Sequence, residues 1–306
     1  MAQVPATPKS QRFRNLIIAA LFGPKVAERS KGLQASEAAA LALRKTPAPK
    51  SEPTHVTFLI PLVGQAKVGN WHVVVAHLQD TLTSFQDQTN GNWTALICCQ
   101  DQPDLPIDPR IQWLPFTPSH EGNDKWDKLT TLVEHLGQQT PEPGYVMSFD
   151  ADDLLAKTAV ATMLTQHAPF GYLVEQGWVK DMQDGTTALA KRQFLGKAFW
   201  KLCGSCAAFR FDQFDPTFAA FLKATLQHEH RMFPYLAKLA GRGLKRFSEP
   251  QVLYLINHGE NFGARRGRVG FKTRFVQRFA LKTAAQHAQI EAAFTSGPPP
   301  QPPRAP

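Results

Sequence analysis

Residues 145–149, Tyr-Val-Met-Ser-Phe, form an apolar, strand-like run that stops in Asp150-Ala151-Asp152-Asp153. Clustered carboxylates raise one another's pKa unless a cation offsets them, so a buried strand ending this way needs a counter-charge. Asp150 and Asp152 are two residues apart and point the same way from an extended strand end. Two carboxylates on one side suit Mg2+ or Mn2+, hard cations that hold a substrate's phosphates. The plain alternative is a strand-to-helix turn in which Asp152 or Asp153 caps a helix beginning at Leu154 and Asp150 is solvated. We expect Asp153 to be that cap; for Asp150 and Asp152 the motif alone leaves both readings open.

Other reactive side chains are less promising. Cys98 and Cys99 are adjacent on an expected strand and face opposite sides, so they cannot join a single compact metal site. Cys203-Gly204-Ser205-Cys206 has redox spacing and a papain-like order. The protease reading needs His and Asn farther downstream than the chain allows. A thioredoxin-type pair should open a helix, whereas 207–211, Ala-Ala-Phe-Arg-Phe, reads as a strand. Four reduced, mostly buried thiols are expected.

These groups need a scaffold, and the hydrophobic pattern supplies one. Val56 to Val63 is a continuous run of the kind expected in a buried parallel strand. Val73 to Phe85 reads as a helix with Val74, His77, Leu78, Leu82 and Phe85 on one face. Strands follow at Trp93 to Cys99 and Ile111 to Leu114. A helix over Asn123 to Leu136, capped by Asn123 or Asp124, precedes the strand that ends in the acids. This order argues an α/β fold, an open and mostly parallel sheet flanked by helices, with ligands beyond the carboxyl ends of its strands.

The formal charge of +9 is unevenly placed. Residues 1–54 carry a net +6 and residues 263–306 a net +7, which leaves −4 for the segment between them. That distribution disfavours a nucleic-acid-binding core and suits basic flanks that touch an anionic lipid surface or an acidic partner. Leu16 to Phe22 reads as a short amphipathic helix at a membrane surface, with a cleaved signal as the alternative. Residues 265–279 place Phe271, Phe275 and Phe279 at i, i+4, i+8 among Arg265, Arg266, Arg268, Lys272, Arg274 and Arg278. That pattern fits either an interfacial helix or a Phe face packed on the domain.

In order and spacing these features resemble the family 2 glycosyltransferases, which have a GT-A fold. The first strand, Val56-Thr57-Phe58-Leu59-Ile60-Pro61, is similar to that family's opening strand. Ser84, Phe85, Gln88 and Thr89 resemble the end of its first helix. Asp101 follows the second strand where the family binds a nucleobase, and Asp150-Ala151-Asp152-Asp153 resembles its D-x-D-D motif. The resemblance spans residues 55–260. It implies an inverting, metal-dependent transfer from a nucleotide sugar, UDP-linked, to a surface glycan or lipid-linked acceptor. It further implies a nucleotide held by Pro61, Asp101, Lys128 and Asp150, with Lys125 also in reach of the phosphates. Mn2+ or Mg2+ would be held by Asp150, Asp152 and His258, the last in a closing Tyr254…His258 segment. Glu229 would be the base, with His228 beside it; here His230 stands where family members carry a second acid. Gly204 to Arg210 would form the acceptor side. Sugar and acceptor selection would lie in loops such as 102–122 and 175–200.

The expected organisation is a basic Pro/Ala-rich extension (1–54), a GT-A-like domain (55–262), a basic helical segment (263–295) and a Pro-rich tail (296–306). The expected setting is cytoplasmic, peripheral at the inner membrane face, with no nucleic-acid partner. Two alternatives stand beside this reading: a GT-A-like nucleotidyltransferase, and a non-catalytic basic-flanked adaptor or nucleic-acid binder.

Overall fold

The computed structural model describes residues 3–117, 121–138, 142–259 and 269–294. Three helices open the chain: α1 (Lys9–Leu21), α2 (Pro24–Ala27) and α3 (Ala35–Arg44). The α/β order follows as β1 (His55–Pro61), α4 (Trp71–Gln86), β2 (Trp93–Cys99), β3 (Ile111–Pro115), α5 (Lys125–Gln138) and β4 (Gly144–Ser148). Next come β5 (Asp153–Leu155), α6 (Ala159–Gln166), β6 (Gly171–Leu173), β7 (Gly177–Asp181), β8 (Thr187–Ala190) and β9 (Ala207–Phe211). The chain continues through α7 (Pro216–Leu226), α8 (Phe233–Leu239), β10 (Lys245–Arg246), β11 (Val252–Ile256), α9 (Val269–Arg278) and α10 (Ala284–Phe294).

The main sheet has seven strands in the order β10-β6-β9-β4-β1-β2-β3. Pairings of β1 with β2 and β4, and of β2 with β3, are parallel; β9 runs antiparallel to β4 and β6. The expected mostly parallel α/β sheet flanked by helices is what forms. From β1 the chain moves outward through β2 and β3, then returns by α5 to β4 on the other side of β1. This reversal leaves a crevice at the carboxyl ends of β1 and β4, where open α/β sheets bind ligands. The floor beneath it is aromatic: Phe58 stacks on Phe85 at 4.2 Å, and Phe149 meets Phe85 edge-on at 5.1 Å. Phe149 is fully buried, so Asp150 leaves the core from a fixed point.

A second, four-stranded sheet, β5-β11-β7-β8, takes two of its strands, β7 and β8, from the stretch expected to be a selecting loop. Residues 153–155 are a strand rather than the start of a helix, because Leu155 and Leu154 pair with Val252 and Leu253 of β11. That partner is about a hundred residues away, beyond any local pattern. Residues 177–181 and 187–190 are likewise paired strands rather than a selecting loop.

The N-terminal segment also departs from expectation. The sequence leads us to expect an extension outside the domain over 1–54, yet Ala19, Ala27, Ala40, Leu41 and Leu43 belong to the main hydrophobic core. Glu37 is fully buried and accepts hydrogen bonds from Tyr235 Oη (2.6 Å), Asn15 Nδ2 (3.2 Å) and the Gln34 amide (2.9 Å). These bonds tie α1 and α3 to α8 through a carboxylate with no contact to water, so the three helices are held as one unit.

Candidate functional site

The acids are held by backbone and side chains from distant parts of the chain. The Asp150 amide donates to Ser205 Oγ (2.9 Å), and Ser205 Oγ donates to Asp153 Oδ2 (2.6 Å). Cys203 Sγ also donates to Asp153 (3.1 Å). Gly204 leaves room between them: a Cβ there would lie 2.8 Å from Asp150 Oδ2 and would displace that carboxylate. On the other side, Thr81 Oγ1 donates to the Asp153 carbonyl (2.8 Å) and the Leu155 amide donates to Ser84 Oγ (3.1 Å). Gln88 bonds the Ala156 carbonyl (2.9 Å) and the Val160 amide (3.0 Å), while the Thr89 amide donates to the Lys157 carbonyl (2.9 Å). The Ser84…Gln88-Thr89 motif is therefore a clasp between α4 and the acid-bearing segment.

Each acid has a different environment. Asp150 Oδ1 is 2.5 Å from Lys125 Nζ, at the first residue of α5. Burial works to raise the Asp150 carboxyl, but the Lys125 ammonium outweighs it and holds Asp150 below the usual carboxylate range. Lys125 is raised in return: burial opposes its charge and Asp150 overrides burial. Asp152 Oδ2 meets His258 Nε2 at 2.8 Å, and the His258 ring packs 4.2 Å from His77. Asp153 is fully buried and caps no helix. Burial, with Asp152 and Asp150 adding to it, pushes its carboxyl well above the ordinary range. Lys272 of α9 bonds Tyr254 Oη and lies in the field of all three acids. Burial depresses Lys272 while the acids pull it back up.

The residues expected to hold the nucleotide divide into two groups. Asp101, at the carboxyl end of β2, accepts the Gln65 amide (2.7 Å) and sits at the crevice mouth. Pro61 ends β1, and without an N–H it leaves the next ladder bond to the Leu62 amide, which donates to Cys98 O (3.0 Å). Lys128 instead is buried. It is 1% exposed, donates to the Leu62 carbonyl (2.6 Å) and pairs with Asp124 (3.2 Å). Asp124 also receives Lys67 (2.8 Å) and Gln100 (2.5 Å). Lys128 thus joins α5 to the loop ends of β1 and β2, and Lys125 is the α5 lysine that meets the acids. The expected order, Lys128 before Lys125, is thereby reversed.

The His228-Glu229-His230 trio splits. His228 is buried against the N-terminal helices, with Nε2 2.6 Å from Ser36 Oγ, and the chain at Val4 pairs with it as a parallel bridge. It faces away from the acids. His230, two residues on, interacts electrostatically with Asp150 and Lys125, and burial depresses its pKa to about 4. Its Nε2 is buried without a hydrogen-bond partner among the described residues. Glu229 is half-buried and stands just before the 3-10 turn of His230–Met232.

Burial lowers His228 below the ordinary histidine value near 6.5, with Val4, Glu37 and Glu229 pulling weakly the other way. The unfolded chain then binds the extra proton first, so stability present above about pH 6.5 is lost as pH falls through the native value. His228→Gln should flatten the decline in urea midpoint between about pH 7 and about pH 5. An unchanged slope would remove His228 as its cause.

Arg210, expected on the acceptor side, is a buried strut: it donates to the carbonyls of Gly144 (2.9 Å) and Ser51 (2.7 Å). The four cysteines are free and buried, as expected, and burial pushes Cys98 up to about 12. None has the lowered pKa of a reactive thiolate. On α9, Phe275 and Val276 are buried, so that helix packs its apolar face inward. Arg265, Arg266 and Arg268 lie outside the described residues.

Asp150, Asp152 and His258 have the donor chemistry for a divalent ion, but their arrangement does not fit one. Lys125 already neutralises Asp150 and His258 lies against Asp152. No three His, Cys, Asp or Glu side chains converge as a ligand set among the described residues. What the arrangement offers an anion is a crevice with an ammonium at α5, a second on α9 and an imidazole at Asp152. A diphosphate would meet positive charge there at a helix start.

No protein-family model matches the chain, and no curated protein matches it. Solved structures do. S. aureus TarS 1–349 is similar at a TM-score of 0.35 and 10% identity, covering 77% of this chain and 69% of that one. The same fragment in complex with UDP gives a TM-score of 0.34 and 9% identity over the same shares. A 4-diphosphocytidyl-2C-methyl-D-erythritol synthase gives 0.34 and 14%, covering 74% of this chain and 100% of that one. At TM-scores this low, the activity has to be argued from the residues.

Proposed function

We propose that the chain is a nucleotide-sugar-dependent glycosyltransferase of GT-A type, resembling family 2, with a UDP-linked donor and a glycan or lipid-linked acceptor. The observation that carries this reading is the Asp150–Lys125 pair, set with Asp152 at the crevice where the strand order reverses. In the proposed reaction the acceptor hydroxyl attacks the anomeric carbon and the bond to the diphosphate oxygen breaks. The hydroxyl proton passes to a base and the nucleoside diphosphate leaves with the bonding electrons. The group needing stabilisation is the leaving diphosphate. Lys125 is the side chain best set to meet it, and Lys272 adds charge from α9. Asp101 remains the nucleobase candidate and Asp150 the ribose contact. No step is routed through a metal.

The nucleotidyltransferase reading is weaker, because Lys67 in the loop after β1 is committed to Asp124 and the Gly122 carbonyl. The adaptor reading leaves the charge pairs at the crevice without a purpose. The setting we propose is the cytoplasmic face of a membrane; no helix among the described residues is long and apolar enough to cross one.

UDP should raise the melting temperature with the metal chelated by EDTA. No shift with any nucleoside diphosphate, in EDTA or in Mn2+, would sink the glycosyltransferase reading. Glu229→Gln should leave that shift intact and suppress transfer. Unchanged turnover, with loss in His230→Gln instead, would move the base to the histidine facing Asp150.

A further inference from the structure

The buried face of α1 uses small and polar residues, Asn15 and Ala19, with Leu16 and Ile18 packed partly against the core. Its larger side chains point the other way. Phe13 is 67% exposed, Ile17 39% and Leu21 72%, at i, i+4, i+8 on one face. Phe22 and Val26, 65% and 44% exposed, extend the patch across the turn at Gly23, whose φ of +82° redirects the chain into α2. Exposed apolar side chains are ordinarily scattered singly; five on one continuous face are not. Elsewhere among the described residues Ile107 and Phe214 stand apart, and Phe194 with Leu195 makes a shorter exposed pair.

The rim of the patch is basic. Lys9 and Arg14 flank the α1 stripe, Lys25 and Arg29 flank its continuation, and all four are exposed. Between residues 3 and 34 the single acid is Glu28, and Lys45 pairs with it at 2.6 Å. We propose that this α1–α2 face docks the protein on an anionic lipid surface, lying in the plane of the headgroups. Thirteen residues of helix extend about 20 Å, too short to span a bilayer. An apolar stripe between rows of cations is the form that sinks into the headgroup–acyl boundary. The helix is already anchored by its inner face, so the stripe is not a core surface awaiting its own chain. Of the two segments read as lipid-facing, Leu16 to Phe22 keeps an exposed apolar face, whereas Phe275 and Val276 of α9 are buried. The proposal does not rest on the glycosyltransferase reading.

Co-sedimentation of the full chain with vesicles tests it. Binding is expected to phosphatidylcholine vesicles carrying about 30% phosphatidylglycerol, to be weak on phosphatidylcholine alone, and to fall as salt rises. Phe13→Ser combined with Leu21→Ser should cut the bound fraction about tenfold while leaving the melting temperature in place, since both side chains are solvent-exposed. Arg14→Glu with Lys25→Glu should remove the preference for anionic vesicles. Phe214→Ser, an exposed residue outside the patch, should bind like the parent. A parent that stays in the supernatant, or a double-serine variant that sediments like the parent, would overturn the proposal. So would a dimer in light scattering that the double-serine variant dissolves without any vesicle binding, which would give the face to a second copy. The UDP-induced melting shift, measured on the same samples, is expected to be unchanged and keeps the two readings separate.

Discussion

Lys125→Met should weaken UDP binding about 10- to 100-fold, the range expected for loss of one charge-assisted hydrogen bond to a phosphate. The expectation follows from what Lys125 does in the absence of nucleotide. Its ammonium is 2.5 Å from Asp150 and offsets the acid cluster. With methionine in its place, an incoming diphosphate meets Asp150 and Asp152 with one fewer counter-charge, and both repulsion and lost bonding oppose it. With side chains 35% and 25% exposed, the pair should contribute little to folding, so the melting temperature without ligand is the control. The experiment separates two ways of neutralising a leaving diphosphate. If a divalent ion were the agent, Lys125→Met would release Asp150 to ligate it, and UDP binding in Mn2+ would strengthen. Weakening in both EDTA and Mn2+ supports the lysine; strengthening in Mn2+ alone overturns it.

Removal of residues 1–46 should prevent the remaining chain from folding to a soluble, cooperative unit. Leu41 and Leu43 are buried to within 1% exposure and α3 packs against α7 and α8, so truncation uncovers apolar surface along both helices. It also leaves Tyr235 without the Glu37 carboxylate and strips Arg242 of its bonds to the Leu43 and Thr46 carbonyls. A milder probe avoids the ambiguity of a chain that fails to express. Leu41→Ala should cost about 2–5 kcal/mol, the usual range for emptying a buried leucine site. A truncated chain with the parent's melting temperature, or a Leu41→Ala variant within about 0.5 kcal/mol of the parent, would show that the N-terminal helices are dispensable.

What could be read from the sequence was what is encoded locally. The strands at 55–61, 93–99 and 207–211 stand out as short β-branched or apolar runs, and α4 as a 3.6-residue stripe, because each buries a face its own pattern defines. The acids at the end of β4 were visible for the same reason. Their separate environments were not. Asp153 is buried by Cys203 and Ser205, fifty residues on, and β5 exists only through its pairing with β11. Nothing near Asp153 announces either contact, and a cap was the natural local reading. The N-terminal helices were missed as core because alanine carries little hydrophobic signal, although it is what allows α3 to approach closely. Lys272 looked like one cation among many on a basic helix; its nearness to the acids depends on how α9 docks. His228 and His230 were indistinguishable by type, and only the turn between them sends one to Ser36 and the other toward Asp150.

The clasp formed by Thr81, Ser84, Gln88 and Thr89 has an evolutionary consequence. On the α4 side these contacts use chosen side chains, apart from the Thr89 amide. On the acid side they reach only the main-chain atoms of Asp153, Leu155, Ala156, Lys157 and Val160. Main-chain atoms are the same whatever residue carries them. Substitutions along 154–160 can therefore accumulate without loosening the grip on the acids, so long as the backbone path is kept. Ser84 and Gln88 have no such latitude, since no neighbouring side chain duplicates their reach. In divergent relatives the helix end should stay recognisable after the segment it holds has drifted beyond alignment.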